Sequence, residues 1–196
     1  MVVGFLASSA VSAPVMLTGN PDPSDYDIVV TDAAGEEGLA EHLDIDQLLL
    51  AADDETGPDA RFYLGLTVND PDISRTGGPT SFVYRTVLDC FFVGEAGDLL
   101  HELAVVLTAD DVVAGVDGVM LDAARFSAAV DSGLEVSIDQ DAMPNLIGVD
   151  TFDVLVQLDD TGTNADDQLA AFGVPEPATF GLLLLGGVVG LTRRRR

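Results

Sequence analysis

The sequence has no lysine, no tryptophan, one cysteine and two histidines among its 196 residues. A single cysteine, Cys90, excludes an internal disulfide, and its apolar neighbours predict a buried, unreactive thiol. Because His42 and His101 are the only histidines, few catalytic bases or zinc ligands are available, and their spacing matches no zinc motif. These absences argue against covalent or metal-assisted catalysis and predict that the protein is not an enzyme.

A Ser-His-Asp triad could still be assembled from Ser81, His101 and Asp89. No glycine-flanked nucleophile turn supports it, so the triad is a weak hypothesis. The sequence Leu100-His101-Glu102 instead predicts that His101 lies on the polar face of a strand.

Positive charge is scarce and unevenly distributed. Four of the eight arginines are the last four residues, whereas residues 14–174 contain 33 aspartates and glutamates against four arginines. Such an acidic body repels phosphate groups, which excludes nucleic acid as a partner. It favours cations, salt-rich surroundings or a cationic partner.

The C-terminal segment combines an apolar run with a basic end. The twelve residues Phe180–Leu191 contain no charge, and as a helix they would span about 18 Å, less than the roughly 30 Å of a bilayer core. With their flanks they predict a transmembrane helix at about 179–192, with the final arginines held in the cytoplasm. A buried C-terminal helix is the disfavoured alternative, because the run has no polar residues at helical spacing.

The order of parts in residues 174–196 resembles the PEP-CTERM sorting signal. The namesake tripeptide corresponds to Pro175, Glu176 and Pro177, the hydrophobic helix follows it, and the basic end corresponds to Arg193, Arg194, Arg195 and Arg196. The resemblance implies that an exosortase, a membrane-embedded transpeptidase, recognises the tail and cuts near the tripeptide. The body would then be released or re-attached at the cell surface. The resemblance indicates a route and leaves the role of the body open.

Residues 1–13 are typical of a signal peptide. An apolar stretch, Val2–Leu6, is followed by small residues that end in Val11-Ser12-Ala13. No Lys or Arg precedes the apolar stretch, and Pro14 would hinder cleavage after Ala13. Cleavage after Ala10, or a start codon farther upstream, would each remove one difficulty. The alternative is that Val2–Leu6 forms a first strand.

Residues 14–172 are long enough for one domain with a full core, and hydrophobic alternation dominates them. In Arg61–Val68, for example, Phe62, Leu64, Leu66 and Val68 share one face. Only Glu36–His42 and Asp141–Ile147 could form helical turns. The pattern predicts an all-β fold, an antiparallel β-sandwich that is jelly-roll-like, with a C-terminal sorting helix. Nine strands are expected, at Tyr26–Thr31, Ile45–Ala52, Arg61–Val68, Ser81–Val93, Leu99–Thr108, Val112–Leu121, Arg125–Val130, Leu134–Ile138 and Phe152–Asp159.

A second resemblance rests on Leu43–Leu48, Phe62–Leu66, Gly133–Ile138 and Phe152–Asp160. Their order is similar to sandwich domains of the family 9 carbohydrate-binding type and their DOMON-like relatives. The resemblance implies ligand binding on one sheet, through aromatic residues for a sugar or through Met and His residues for haem. It gives an alternative function, a carbohydrate-binding surface module that interacts with exopolysaccharide. The candidate sugar-facing residues are Tyr26, Tyr63 and Tyr84.

Calcium is the most credible metal, because hard cations bind several oxygen donors that lie close in sequence. The segment 159–167 offers such donors, and the predicted ligands of a structural Ca2+ are Asp159, Asp160, Asn164 and Asp166. The segment does not match an EF-hand loop, and a solvated acidic turn remains the alternative. The sorting tail and the body together predict an exported, non-enzymatic interaction protein of the cell envelope, outer surface or extracellular matrix.

Overall fold

The computed structural model describes residues 15–32, 44–53, 60–69, 86–108, 111–146, 151–160 and 166–175. These residues form eleven strands and three short 3-10 turns, at Pro23–Asp25, Gln140–Ala142 and Pro144–Leu146. The strands are β1 (Ile28–Thr31), β2 (Ile45–Ala52), β3 (Arg61–Val68), β4 (Thr86–Gly94), β5 (Leu99–Leu107), β6 (Val112–Val116), β7 (Val119–Met120), β8 (Phe126–Val130), β9 (Leu134–Asp139), β10 (Thr151–Asp160) and β11 (Asp166–Pro175).

The strands form two antiparallel sheets. The five-stranded sheet has the order β1-β2-β3-β9-β8, and the six-stranded sheet has the order β11-β10-β4-β5-β6-β7. One cluster of buried residues draws side chains from both sheets, so the sheets share a single core. The predicted antiparallel sandwich is therefore confirmed.

The core follows from the period-two alternation of the strands. In β3 and β4 the inward residues include Leu64, Leu66 and Leu88, all with no exposed surface. Phe92 joins the two sheets: its ring meets Phe62 of the five-stranded sheet edge to face, with centroids 5.5 Å apart. It also meets Phe152 of β10 at 5.8 Å.

Three features differ from the sequence prediction. The expected strand Val112–Leu121 is a hairpin, β6 and β7, which turns at Asp117-Gly118 with both residues at positive φ. Strand β11 was not predicted, and it extends past the expected domain boundary at residue 172. The jelly-roll qualifier is not met, because strands consecutive in sequence are mostly neighbours in the same sheet and the chain changes sheets only after β3, β7 and β9.

The residues before β1 cover the outer face of the five-stranded sheet. We call Val15–Tyr26 the N-terminal strap. Its Val15 and Tyr26 pack with Leu49, Ala51 and Tyr63 into a second buried cluster, separate from the main core. The five-stranded sheet is therefore covered on both faces.

Several predicted segments lie outside the described residues: the signal peptide at 1–13, the sorting helix at about 179–192 and the helical turn Glu36–His42. Within the described ranges, no helix has the length and apolarity needed to cross a bilayer.

Candidate functional site

The first residue of the sorting tripeptide belongs to the folded body. Strand β11 ends at Pro175, which pairs with Thr151, and Val174 pairs with Phe152. The other predicted sorting residues, Glu176, Pro177, Arg193, Arg194, Arg195 and Arg196, lie outside the described residues. The chain therefore passes from the six-stranded sheet into the tripeptide without a linker.

Residues 95–99, at the end of the sheet where β11 stops, are exposed to solvent. The turn between β4 and β5 closes there with a hydrogen bond from the Gly97 N–H to the Gly94 carbonyl, at 2.8 Å. Beside it, the Thr151 hydroxyl donates to the Glu95 carboxylate at 2.6 Å. Leu99, the first residue of β5, is 55% exposed. We call this group, residues 94–99 with Thr151, the exit end, because β11 ends beside it.

His101 lies on the core side of β5, which corrects the prediction of a polar strand face. It is 3% exposed. Its Nδ1 lies 2.7 Å from Oδ2 of Asp117, and its Nε2 accepts the Asn145 N–H at 3.0 Å. Because Nε2 accepts, the proton of the neutral ring is on Nδ1 and is donated to Asp117.

Asp117 owes its position to the β6–β7 turn. Partial burial opposes ionisation, but hydrogen bonds from the Glu102 N–H and the His101 ring outweigh it and lower the pKa of Asp117. Both ring nitrogens of His101 are thus engaged in fixing the turn and the Pro144–Leu146 segment.

The Ser81-His101-Asp89 triad is not assembled. Asp89 faces outward from β4 whereas His101 faces the core from β5, and Ser81 lies outside the described residues. Cys90 is a free, fully buried thiol, as predicted, and burial raises its pKa well above the ordinary value.

The tyrosines do not form a sugar-facing surface in the described part of the chain. Tyr63 is 5% exposed and Tyr26 is 2% exposed, so neither ring is available for stacking. The Tyr63 hydroxyl donates to Asp53 at 3.4 Å, and burial, with the charge of Asp53, raises the pKa of Tyr63 to about 12. The prediction for Tyr63 is therefore wrong because the N-terminal strap covers this face. Tyr84 lies outside the described residues.

Glu135 is a buried carboxylate that sequence reasoning missed. It is 2% exposed, and its Oε2 accepts the N–H groups of Thr18 and Gly19 at 2.5 and 2.7 Å. Its Oε1 accepts the Tyr26 hydroxyl at 3.0 Å. Burial, with the charge of Glu135, raises the pKa of Tyr26. These bonds satisfy the carboxylate and fasten the N-terminal strap to β9.

The outer face of the six-stranded sheet is different. Its half-buried residues are mainly apolar or acidic, with Gln157 of β10 opposite Asp89, and the six strands contain no lysine or arginine. Leu155 lies opposite Phe91 across β10 and β4, and Val106 lies between Val87 and Val113 across β4, β5 and β6. The acids on this face are Asp89, Glu102, Asp153 and Asp159. We call these residues, with Ala104 and Gly115, the acidic face.

Carboxylates on the acidic face repel one another. Partial burial raises the pKa of Asp89, and the charges of Glu102 and Asp159 on the flanking strands raise it further. Next to Glu102, a shallow hollow of about 170 Å³ has an apolar floor that includes Ala104, Val106 and Val113. The face thus combines negative charge with a space for an apolar group.

The predicted calcium site is only partly described. Asp159 lies on the acidic face near the end of β10, whereas Asn164 and the side chains of Asp160 and Asp166 lie outside the described residues. Within the described ranges, no group of three or more His, Cys, Asp or Glu side chains is placed to hold a metal. The next residue, Asp167, instead accepts the Ile45 N–H at 2.7 Å and links β11 to β2. Calcium binding remains a prediction.

Comparison with known proteins gives one match. Residues 173–196 match the family model of the PEP-CTERM protein-sorting motif. Neither a curated protein nor a solved structure matches the chain, so the resemblance to carbohydrate-binding and DOMON-like domains gains no support. The motif implies recognition by an exosortase and export to the cell envelope or surface. Residues 173–196 thus carry a PEP-CTERM sorting motif, which indicates that the chain is exported and targeted by an exosortase.

Proposed function

We propose that an exosortase cuts the chain near Pro175-Glu176-Pro177 and that the body acts at the cell surface, without catalysis, by binding a positively charged protein partner through the acidic face. The sorting motif at 173–196 is the observation that supports export and sorting by an exosortase. The acidic face carries the proposed binding activity.

A non-enzymatic role is supported by His101 and Cys90, the side chains best suited to catalysis among the described residues. His101 is buried with both ring nitrogens hydrogen-bonded, so neither is available to a substrate. Cys90 is fully buried, and its raised pKa disfavours the nucleophilic thiolate. Both side chains serve the packing of the sandwich.

A cationic partner is supported by the chemistry of the acidic face. Arginine and lysine side chains have an apolar stem and a charged head, and the hollow offers an apolar floor with the Glu102 carboxylate beside it. A cation here would also relieve the repulsion between Asp89, Glu102 and Asp159. A second copy of the chain is a poor partner, because two acidic faces would repel each other.

The route is tested by intact-mass analysis of the protein recovered from native cells and medium. We expect the mature protein to lack the residues beyond about Pro177, and any added mass would identify a group attached at the cut. Retention of Arg196 in the mature protein would contradict cleavage. A Glu176→Ala variant that is cut and displayed like the wild type would contradict a role for the tripeptide.

The binding surface is tested with synthetic peptides in which leucine alternates with arginine or with glutamate. The Arg-Leu peptide should bind the body, and its affinity should fall as salt rises. A variant with both Asp89→Asn and Glu102→Gln should bind about tenfold more weakly, because a charge pair at an interface contributes about 1.5 kcal/mol or more. The matched control removes the same number of charges in the exit end, with both Glu95→Gln and Asp98→Asn. Equal loss of binding in both variants would indicate general charge attraction and contradict the assignment to the acidic face.

A further inference from the structure

We propose that the end of β11 must detach from β10 before the exosortase can cut, so that the folded body itself controls the rate of sorting. This inference rests on the proposed cleavage near the tripeptide. It goes beyond it by assigning a regulatory role to the pairs Thr151–Pro175 and Phe152–Val174.

The first step is that Pro175 has two roles that exclude each other. In the folded body its backbone lies in β11 opposite Thr151. To be cut nearby, the same stretch of backbone must enter an enzyme site, and a paired strand is protected until it opens locally. When opening and closing are fast, the rate of cutting follows the population of the open form.

The second step is that the residues after Pro175 give little slack. Four residues, 176–179, separate β11 from the apolar run that begins at Phe180. Fully extended, they span at most about 14 Å. An enzyme embedded in the membrane therefore has to work close to the exit end of the body, and any slack has to come from β11.

The third step is that the opening is confined to the end of the strand. The start of β11 is tied to the five-stranded sheet through Asp167, whose carboxylate accepts the Ile45 N–H at 2.7 Å. Regular pairing with β10 holds from Asp159–Asp166 to Val154–Ala171, and then the register shifts between Phe152 and Val154. This bulge separates the last two pairs from the rest of the ladder. Strand β11 lies at the edge of the described sheet, so releasing those two pairs breaks its pairing with β10 alone.

The test is a pulse-chase measurement of processing in native cells with full-length variants. Six residues of alternating Gly and Ser are inserted between Phe172 and Gly173, which leaves the matched motif 173–196 intact. We expect processing to become at least about threefold faster, because the motif no longer depends on strand opening. The control carries the same insertion between Ala109 and Asp110, in the connection that follows the far end of β5, and should be processed at the wild-type rate.

A length-neutral variant provides a second test. Thr151→Gly removes the bond to Glu95 and weakens the last pair of the ladder. It should also speed processing, by less than the insertion does. Unchanged or slower processing of the Phe172–Gly173 insertion, in a body that melts like the wild type, would overturn the inference. Retention of Arg196 in the mature wild-type protein would instead contradict the proposed function itself.

Discussion

The outer faces of the two sheets use carboxylates in opposite ways. On the five-stranded sheet, Glu135 is buried beneath the N-terminal strap and accepts hydrogen bonds from Thr18, Gly19 and Tyr26. On the six-stranded sheet, Asp89 is half-buried between the like charges of Glu102 and Asp159. The first acid is held by hydrogen bonds, whereas the second lies among charges of its own sign.

The difference separates structure from function within one acidic protein. A buried charge is tolerated when its hydrogen-bonding capacity is filled, as at Glu135. The described strands of the acidic face carry no basic residue, so we expect the repulsion among Asp89, Glu102 and Asp159 to fall when a cation binds. The comparison therefore associates Glu135 and the five-stranded sheet with stability, and it agrees with the recognition role that we propose for the acidic face.

The largest expected effect comes from Glu135→Ala. The substitution leaves the Thr18 and Gly19 N–H groups and the Tyr26 hydroxyl without their acceptor, so we expect the free energy of unfolding to fall by about 3 kcal/mol. Urea denaturation measures this loss. Hydrogen exchange should show that the amides of the N-terminal strap lose protection first.

The matched variant on the other face is Glu102→Ala. Its carboxylate is half-buried beside Asp89, so its removal should change the free energy of unfolding by no more than about 0.5 kcal/mol. A loss as large as that of Glu135→Ala would contradict the division of roles between the faces.

An effect smaller than that of Glu135→Ala is expected from Gly65→Ala, where β3 contacts the strap. A Cβ added at Gly65 would lie 2.9 Å from the Tyr26 ring, and the strap would have to move away. We expect a loss of about 1–3 kcal/mol and a higher exposure of Tyr26 to solvent, detected by its fluorescence quenching. At Gly115, on the acidic face, the atom nearest to an added Cβ would be the backbone oxygen of Val119, at 3.2 Å. Gly115→Ala should therefore cost less.

Hydrophobic alternation was sufficient to predict most of the fold. The predicted bounds of β2 and β3 match the structure, and those of β5 and β9 differ by one residue. Strand β11 was missed because few residues lie between the loop-like segment Asp159–Asp167 and the sorting motif. These residues are too few to show a clear hydrophobic alternation. The β6–β7 hairpin could have been found, since Asp-Gly between apolar residues is a strong turn signal.

The candidate sites were harder to predict, because they depend on which strands become neighbours. Nothing near Glu135 in sequence indicates that Thr18 and Tyr26 will cover it, and the burial of Tyr63 follows from the same strap. The acidic face likewise joins Asp89, Glu102 and Asp159 from three strands. The sorting motif was predictable because its parts are contiguous and their order alone carries the signal.

The sharpest test of the comparison is Asp89→Asn, for which a small gain in stability is expected. Burial and its acidic neighbours raise the pKa of Asp89 in the folded state, so the folded protein binds this proton more tightly than the unfolded chain does. Its unfavourable contribution is absent below the unfolded pKa of about 3.9, and it grows as pH rises through the folded pKa. At pH 7 the asparagine variant should therefore be more stable, by a few tenths of a kcal/mol up to about 1 kcal/mol, given solvent screening. Thermal melts should show this gain shrinking towards pH 4 and in high salt. If Asp89→Asn destabilises the protein at pH 7, the carboxylate has a favourable partner in the fold. That result would contradict the proposal that the acidic face binds a cation.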